Sequence, residues 1–313
     1  MKLVVIGDVH LSESTPRSWC ADYAKVTLDD FIKAVELGDV ALVLGDLFHT
    51  PVVSESYKIA IADRLKATGR AVYTIWGNHD VDGLNMGAAH RTSLNLLGAF
   101  GVLNVLPMGW YKMEGVDMMV LPLMKNVQVQ PYTGTNDSIM VGHLFFESSL
   151  DKDFSLTKEQ VFNSGFNYVF LGHDHEPYKD ISSDKTRLVR LGSLCRNTSH
   201  EYNLNRVPEV AVLELSGGKI LSYERKQIPT LKGTQIFRAD VFEKPVKNRL
   251  SSLMDIGDIL QMFDTGKNEE LTVRKALNDM ATPKDLYRQA ITAAGSGCRA
   301  ARDAERFLIE NNE

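Results

Sequence analysis

Residues 168–177 read YVFLGHDHEP: an apolar run, a glycine, then two histidines one residue apart with an aspartate between them. The short run from Tyr168 to Leu171 suits a strand buried on both faces. The same phrase recurs along the chain. Leu3–Ile6 precedes GDVH, Val40–Leu44 precedes GDLFH, and Ala71–Trp76 precedes GNHD. Ile139–Val141 precedes GH and Leu188–Leu191 precedes GS, while Met118–Leu123 is a similar run without that ending.

Helix-like segments fall between several of these runs. Thr27–Leu37 carries Leu28, Phe31, Ile32 and Val35 at helical spacing. Ser54 is a candidate N-cap for a helix ending near Thr68, with Gly69 just past its end. Thr157 opens another helix to about Asn163. Val210–Leu215 and Ile220–Glu224, split by Ser216, Gly217 and Gly218, predict a hairpin that closes the sheet. Strands alternating with helices predict an α/β layered fold. After Ile228 the pattern changes: residues 246–264, 268–280 and 298–311 are helix-like. The expected organisation is a main domain over 1–228 and a small, mostly helical annex over 229–313.

Bulk properties exclude several classes. The chain has 313 residues, 44% of them hydrophobic and 24% charged, as in ordinary globular proteins. A formal charge of −5 gives no global cationic field to attract nucleic acid or acidic lipid. Cys20, Cys195 and Cys298 are odd in number and lack C-x-x-C spacing, which argues against a disulfide framework or a thiolate zinc site. The opening apolar run is too short for a signal peptide, and no run approaches a membrane span. A cytoplasmic location without membrane attachment is expected.

The polar residues that follow the strands form one constellation. They are Asp8, His10, Asp46, His49, Asn78, His79, Asp80, His143, His173 and His175. Six of the eight histidines sit in these turns. In an open α/β sheet, ligands bind beyond the carboxyl ends of the strands, so these side chains can converge on one rim. The glycines let backbone pass close to a bound ion or phosphate. Mixed Asp, Asn and His donors without thiolate suit Mn²⁺, Fe²⁺ or Zn²⁺ better than Ca²⁺. A carboxylate bridging two ions roughly 3.5–4 Å apart would activate a water and clamp a phosphoester.

The ordered set GDVH, GDLFH, GNHD, GH and GHDH resembles the calcineurin-like metallophosphoesterases across roughly residues 1–228. Within that superfamily, GDLFH at 45–49 and GSL at 192–194 are similar to the SbcD-type nucleases of double-strand-break repair. The resemblance implies a layered sandwich of two sheets flanked by helices. It implies that Asp8, His10 and His175 hold a first ion, that Asn78, His143 and His173 hold a second, and that Asp46 bridges them. It implies that His79 protonates the leaving oxygen or stabilises the phosphate, that Asp80 orients His79, and that His49 positions the scissile phosphate. Manganese is the expected metal.

The resemblance also implies DNA as substrate, an SbcC-like coiled-coil ATPase as partner, and a homodimer. Residues 229–313 would then contact DNA and the ATPase; the alternative is that they only complete the fold. Neither this region nor VDGLNMGAAH at 81–90 matches the nucleases closely. Arg196, just after the GS turn, is the best candidate for binding nucleic acid; Lys125, Arg187, Arg190 and Arg206 are equally read as surface residues. Asp174 and Glu176 read as solvated turn residues. A small-molecule or cyclic-nucleotide phosphodiesterase or phosphatase remains the alternative activity. GNHD in place of GNHE argues against a phosphoprotein phosphatase.

Overall fold

Strand β1 (Lys2–Ile6) shows why the apolar runs are continuous. Successive side chains of a strand point to opposite faces. Leu3 and Val5 enter one core cluster, and Val4 and Ile6 enter another. Both faces are covered, so neither can be polar. The computed structural model describes residues 1–82, 85–148 and 152–243. The helices expected at 246–264, 268–280 and 298–311 lie outside these. The chain divides into Met1–Phe242 and Glu243–Glu313, and the first unit is the one described below.

Along the chain follow β2 (Val40–Val43), β3 (Ala71–Thr74) and β4 (Asn104–Val105). Next come β5 (Gly109–Met113), β6 (Val116–Leu121), β7 (Ser138–His143) and the short pair β8 (Phe145–Phe146) and β9 (Ser155–Leu156). Then come β10 (Tyr168–Gly172), β11 (Ile181–Ser183), β12 (Thr186–Val189), β13 (Glu209–Ser216) and β14 (Lys219–Gln227). Two six-stranded sheets form, in the orders β14-β13-β1-β2-β3-β4 and β11-β12-β10-β7-β6-β5. β1 pairs parallel with β2, β2 with β3, and β10 with β7, so their carboxyl ends share a rim within each sheet. The expected hairpin is β13–β14, which adds antiparallel to β1.

The helices are α1 (Tyr23–Val35), α2 (Glu55–Thr68), α3 (Ser93–Ala99), α4 (Lys158–Phe162), α5 (Glu201–Asn205), α6 (Gly233–Ile236) and α7 (Ala239–Glu243). Local chemistry sets their ends. The Ser54 side chain accepts from the Tyr57 N–H, and Gly69 ends α2 at φ 63°. Thr157 and Gln160 form a reciprocal capping box at α4. α1 begins four residues before the apolar spacing suggested, because Asp22 accepts from the Lys25 N–H and fixes the first turn there.

Three apolar layers result. Leu28, Phe31, Val35, Ile61 and Leu65 from α1 and α2 pack on the outer face of the first sheet, against Val4, Ile6, Ala41 and Val43. Leu3, Val5, Leu42, Ile139, Val141, Phe170 and Leu213 fill the space between the sheets. Met140, Val169, Leu171 and Leu188 bury the far face of the second sheet beneath Val161 and Phe166. The sandwich of two sheets flanked by helices is therefore the α/β architecture anticipated. Packing continues beyond Ile228: Ile236, Phe237 and Val241 join Trp19, Tyr23, Cys195 and Leu204 in a fourth cluster. Among the described residues, no helix is long and apolar enough to cross a membrane.

Candidate metal centre

Each expected ligand sits at or just beyond a strand's carboxyl end. Asp8 and His10 follow β1, Asp46 follows β2, and Asn78 to Asp80 follow β3. His143 ends β7, and His173 and His175 follow β10. Three of them take backbone that L residues avoid: φ is 54° at His10, 46° at Asp46 and 79° at His173. Such residues cost on the order of 1–3 kcal/mol each and persist only where the surroundings impose them. Here amides do so. The N–H groups of Val9 and His10 donate to the Asp46 carbonyl at 3.0 and 2.9 Å. The His173 N–H donates to Asp8 Oδ2 at 2.9 Å.

The glycines serve a purpose other than the one anticipated. A Cβ on Gly77 would collide with the Asp46 carboxylate, and one on Gly45, at φ 96°, would collide with the His143 ring. Each turn leaves space for the side chain of its neighbour, so the glycines make room for ligands rather than for the bound species.

Among the described residues, three donor groups adjoin one another; one, His10 with His49 and His79, has no carboxylate, and the other two match the expected ion sites. Asp8, His10, Asp46 and His175 offer atoms within 4.8 Å of one another, and so do Asp46, His143 and His173. Asn78 joins the second group, with Oδ1 at 2.9 Å from His143 Nε2. The seven expected ligands therefore meet, and Asp46 is common to both groups. Asp8, His10, Asp46 and His143 have no exposed surface. Within this enclosure Asp46 Oδ2 accepts no hydrogen bond. The nearest imidazole nitrogens lie at 3.4 Å (His143 Nε2) and 3.9 Å (His10 Nε2). A buried carboxylate oxygen left unmatched is costly unless something fills the gap. His10 Nε2 and His175 Nε2 stand 2.9 Å apart, close to the separation of neighbouring ligands on an ion with metal–nitrogen bonds of about 2.1 Å. The donors present fit two divalent cations.

Electrostatics agree. Burial pushes the Asp8 carboxyl up to about 7, with Asp46 adding to the effect and His143 opposing it. Burial, then His175 and His79, holds the His10 ring well below its ordinary value, so it is neutral and able to ligate. Burial works against charge on His143, but Asp46 and Asp8 outweigh it and hold that ring up at about 9. Burial likewise opposes ionisation of Asp46, yet His143 and His79 keep it well below the usual carboxylate range. Without cations, Asp46 leans on His143 as a buried ion pair, and Asp8 is left half-neutralised. His143 Nδ1 donates to the Leu44 carbonyl at 2.8 Å, which fixes its tautomer and leaves Nε2 for the centre.

His79 and His49 stand beside the first group. Their rings stack at 5.2 Å, and they lie 4.9 and 5.5 Å from the His10 ring. His79 Nδ1 donates to the His49 carbonyl at 2.9 Å. Asp80, expected to orient His79, grips backbone instead: its oxygens accept from the N–H groups of Phe48 at 3.1 Å and Gly77 at 3.0 Å. It ties the third turn to the second, and the His49 carbonyl sets the His79 ring. Burial, then Asp46, pushes the Asp80 carboxyl up to about 7.

Arg196 does not reach the rim as expected. It is 3% exposed, and its guanidinium donates to the carbonyls of Arg206, at 3.2 Å, and Leu231. The Arg206 and Leu231 carbonyls therefore occupy its guanidinium donors. Asp174 is not merely solvated: it lies 3.7 Å from Arg190, whose guanidinium covers the Tyr178 ring at 3.7 Å. Sequence reading also missed Phe145, whose ring lies 4.0 Å from that of His173. It missed the Tyr23 hydroxyl, which donates to the His10 carbonyl at 3.0 Å. Phe145 was legible as the second residue after the GH turn; Tyr23, on a distant helix, left no signal.

A two-sheet sandwich with a bridged pair of cation sites at the strand ends defines a class of dinuclear hydrolase folds. The chain belongs to the calcineurin-like phosphoesterase family, whose model matches residues 1–177, and that family uses a dinuclear metal centre. Solved structures similar to it include TT1561 of Thermus thermophilus, at 11% identity and a TM-score of 0.43, covering 73% of this chain and 99% of that one. Another is the sulfate thiohydrolase SoxB of Thermus thermophilus, at 13% identity and a TM-score of 0.38, covering 77% of this chain and 59% of that one. Short stretches match curated relatives of another kind. The chain is 38% identical over 86 residues to a bifunctional thioredoxin reductase/thioredoxin of Mycobacterium leprae, covering 26% of this chain and 18% of that protein. It is 73% identical over 26 residues to a thioredoxin reductase of Spironucleus barkhanus, covering 8% of each. The chain thus spans less than a fifth of either curated relative.

Proposed function

We propose that the centre is a two-metal phosphodiesterase that cleaves DNA, most readily with Mn²⁺. The observation that carries phosphodiester hydrolysis is Asp46. It is fully buried, common to both donor groups, and holds an oxygen without a hydrogen bond between them. Bound cations would supply an activated water and neutralise the phosphoryl oxygens. The chain supplies the rest. His79, its ring set by the Nδ1 hydrogen bond to the His49 carbonyl, would carry the proton that the leaving oxygen takes. His49, stacked on it, holds that ring flat beside the scissile phosphate. Asp80 locks the turn by gripping Phe48 and Gly77. Support for DNA comes from the GDLFH turn at 45–49 and the GSL turn at 192–194. A coiled-coil ATPase partner and a homodimer belong to the same reading.

The inward turn of Arg196 favours a second reading, a small-molecule phosphodiesterase, because it removes the one residue assigned from sequence to nucleic-acid binding. One experiment separates the two. Purified protein is incubated with Mn²⁺ and linear, hairpin or circular DNA beside bis(p-nitrophenyl) phosphate. A nuclease cuts DNA with a steep salt dependence. Hydrolysis of the small ester with DNA left intact would establish the second reading, and hydrolysis of neither would end both.

A further inference from the structure

Three consecutive residues after the GS glycine each reach a different ligand of the first ion. The Ser193 N–H donates to the His175 carbonyl at 3.1 Å, and the Leu194 N–H donates to the Asp8 carbonyl at 2.7 Å. Cys195 Sγ donates to the Tyr23 hydroxyl at 2.9 Å, and that hydroxyl donates to the His10 carbonyl at 3.0 Å. His10 is one of the residues at positive φ and depends on outside contacts to stay there.

This segment is itself held by one side chain. Arg206 Nη2 donates to the Ser193 carbonyl at 2.6 Å, to Ser193 Oγ at 3.0 Å and to the Cys195 carbonyl at 3.2 Å. Its Nε donates to Asn203 Oδ1 at 2.7 Å, which anchors the fork to α5. Of the second ion's ligands, His143 is set by the Leu44 carbonyl, outside this path, while the His173 amide is held by Asp8, one remove further along it.

We propose that Arg206 is a positioning residue chiefly for the first ion, acting through Ser193–Cys195 and the Tyr23 hydroxyl on Asp8, His10 and His175. The inference rests on the two-ion reading of the centre and assigns this arginine a task other than binding phosphate. Arg206→Met keeps the bulk of the side chain and removes its donors. Tyr23→Phe removes a single hydroxyl.

The test is Mn²⁺ titration of the full chain by calorimetry and electron paramagnetic resonance, with no substrate present. His175→Ala and His173→Ala identify which binding step belongs to which ion. Thr186→Val, which deletes a buried hydrogen bond to the Phe166 carbonyl at the start of β12, controls for general loosening. Arg206→Met and Tyr23→Phe are expected to weaken the step lost in His175→Ala by about tenfold or more, and the step lost in His173→Ala by clearly less. Two unchanged affinities, or equal loss at both steps, would overturn the inference. Should Arg206→Met fail to fold, Arg206→Lys, which keeps the charge and loses the forked donors, is titrated in its place with the same expectation. A native chain that takes up fewer than two ions would instead defeat the two-ion reading, a separate result.

Discussion

His79 and Asp46 lie in one pocket yet do different jobs, and substitution separates them. His79→Ala removes a proton carrier that is not among the expected ligands, so turnover is expected to fall roughly a hundred- to ten-thousandfold while metal content is kept. Metal analysis beside single-turnover rates checks this; unchanged turnover would sink the proton role. Asp46→Asn removes charge from the residue common to both donor groups. It is expected to lower uptake of both ions, which elemental analysis after dialysis reads directly. At this scale the sequence was informative about which residues meet, because each follows a strand and its turn. It was silent on where side chains point. Arg196 has a glycine-serine turn before it like any phosphate-facing residue, but the distant Leu231 carbonyl captures its guanidinium. Asp80 neighbours His79 in sequence, yet its oxygens go to amides on two turns.

Among elements, those with chemical end-marks were legible. Ser54, Gly69 and Thr157 marked both ends of α2 and the start of α4, since caps are local interactions. Ser54→Ala is expected to cost about 1 kcal/mol, read from denaturant unfolding, with the centre intact. Elements without periodicity were not legible: β4, β8 and β9 have two residues each, too few for alternation to show. The short 3-10 helix Met86–Arg91, which overlaps the unmatched stretch 81–90, is set by Asn85 accepting from the Gly87 N–H, again too local for a hydrophobic pattern. Gly77→Ala tests the interlocking turns. Its added methyl meets the Asp46 carboxylate, so metal affinity is expected to fall more than in Ser54→Ala at equal loss of stability. Matched melts and metal titrations of the two variants check the ordering.

The molecule as a whole should show the charge balance of its centre through pH. Asp8 and Asp80, raised to about 7, hold protons in the fold that the unfolded chain has released, so metal-free stability falls as pH climbs from about 4 to 7. His143, raised to about 9, contributes stability that is complete below about 6.5 and lost as pH rises through 9. His10, shifted down, works the other way only below its unfolded value. Cations bind the deprotonated forms, so the rise in melting temperature on adding Mn²⁺ should be larger at pH 8.5 than at pH 6. Melts in chelator and in Mn²⁺ at both pH values test this; a smaller rise at high pH would contradict it.

Asp8, His10, Asp46 and Asn78 come from the first sheet, and His143, His173 and His175 from the second. Each proposed ion site draws ligands from both halves of the sandwich. A nascent chain would therefore complete neither ligand set until residues up to His173 and His175 have been made and the two sheets have closed on each other. Uptake of the ions would accordingly act as a latch, set late, that reports completed assembly of the sandwich.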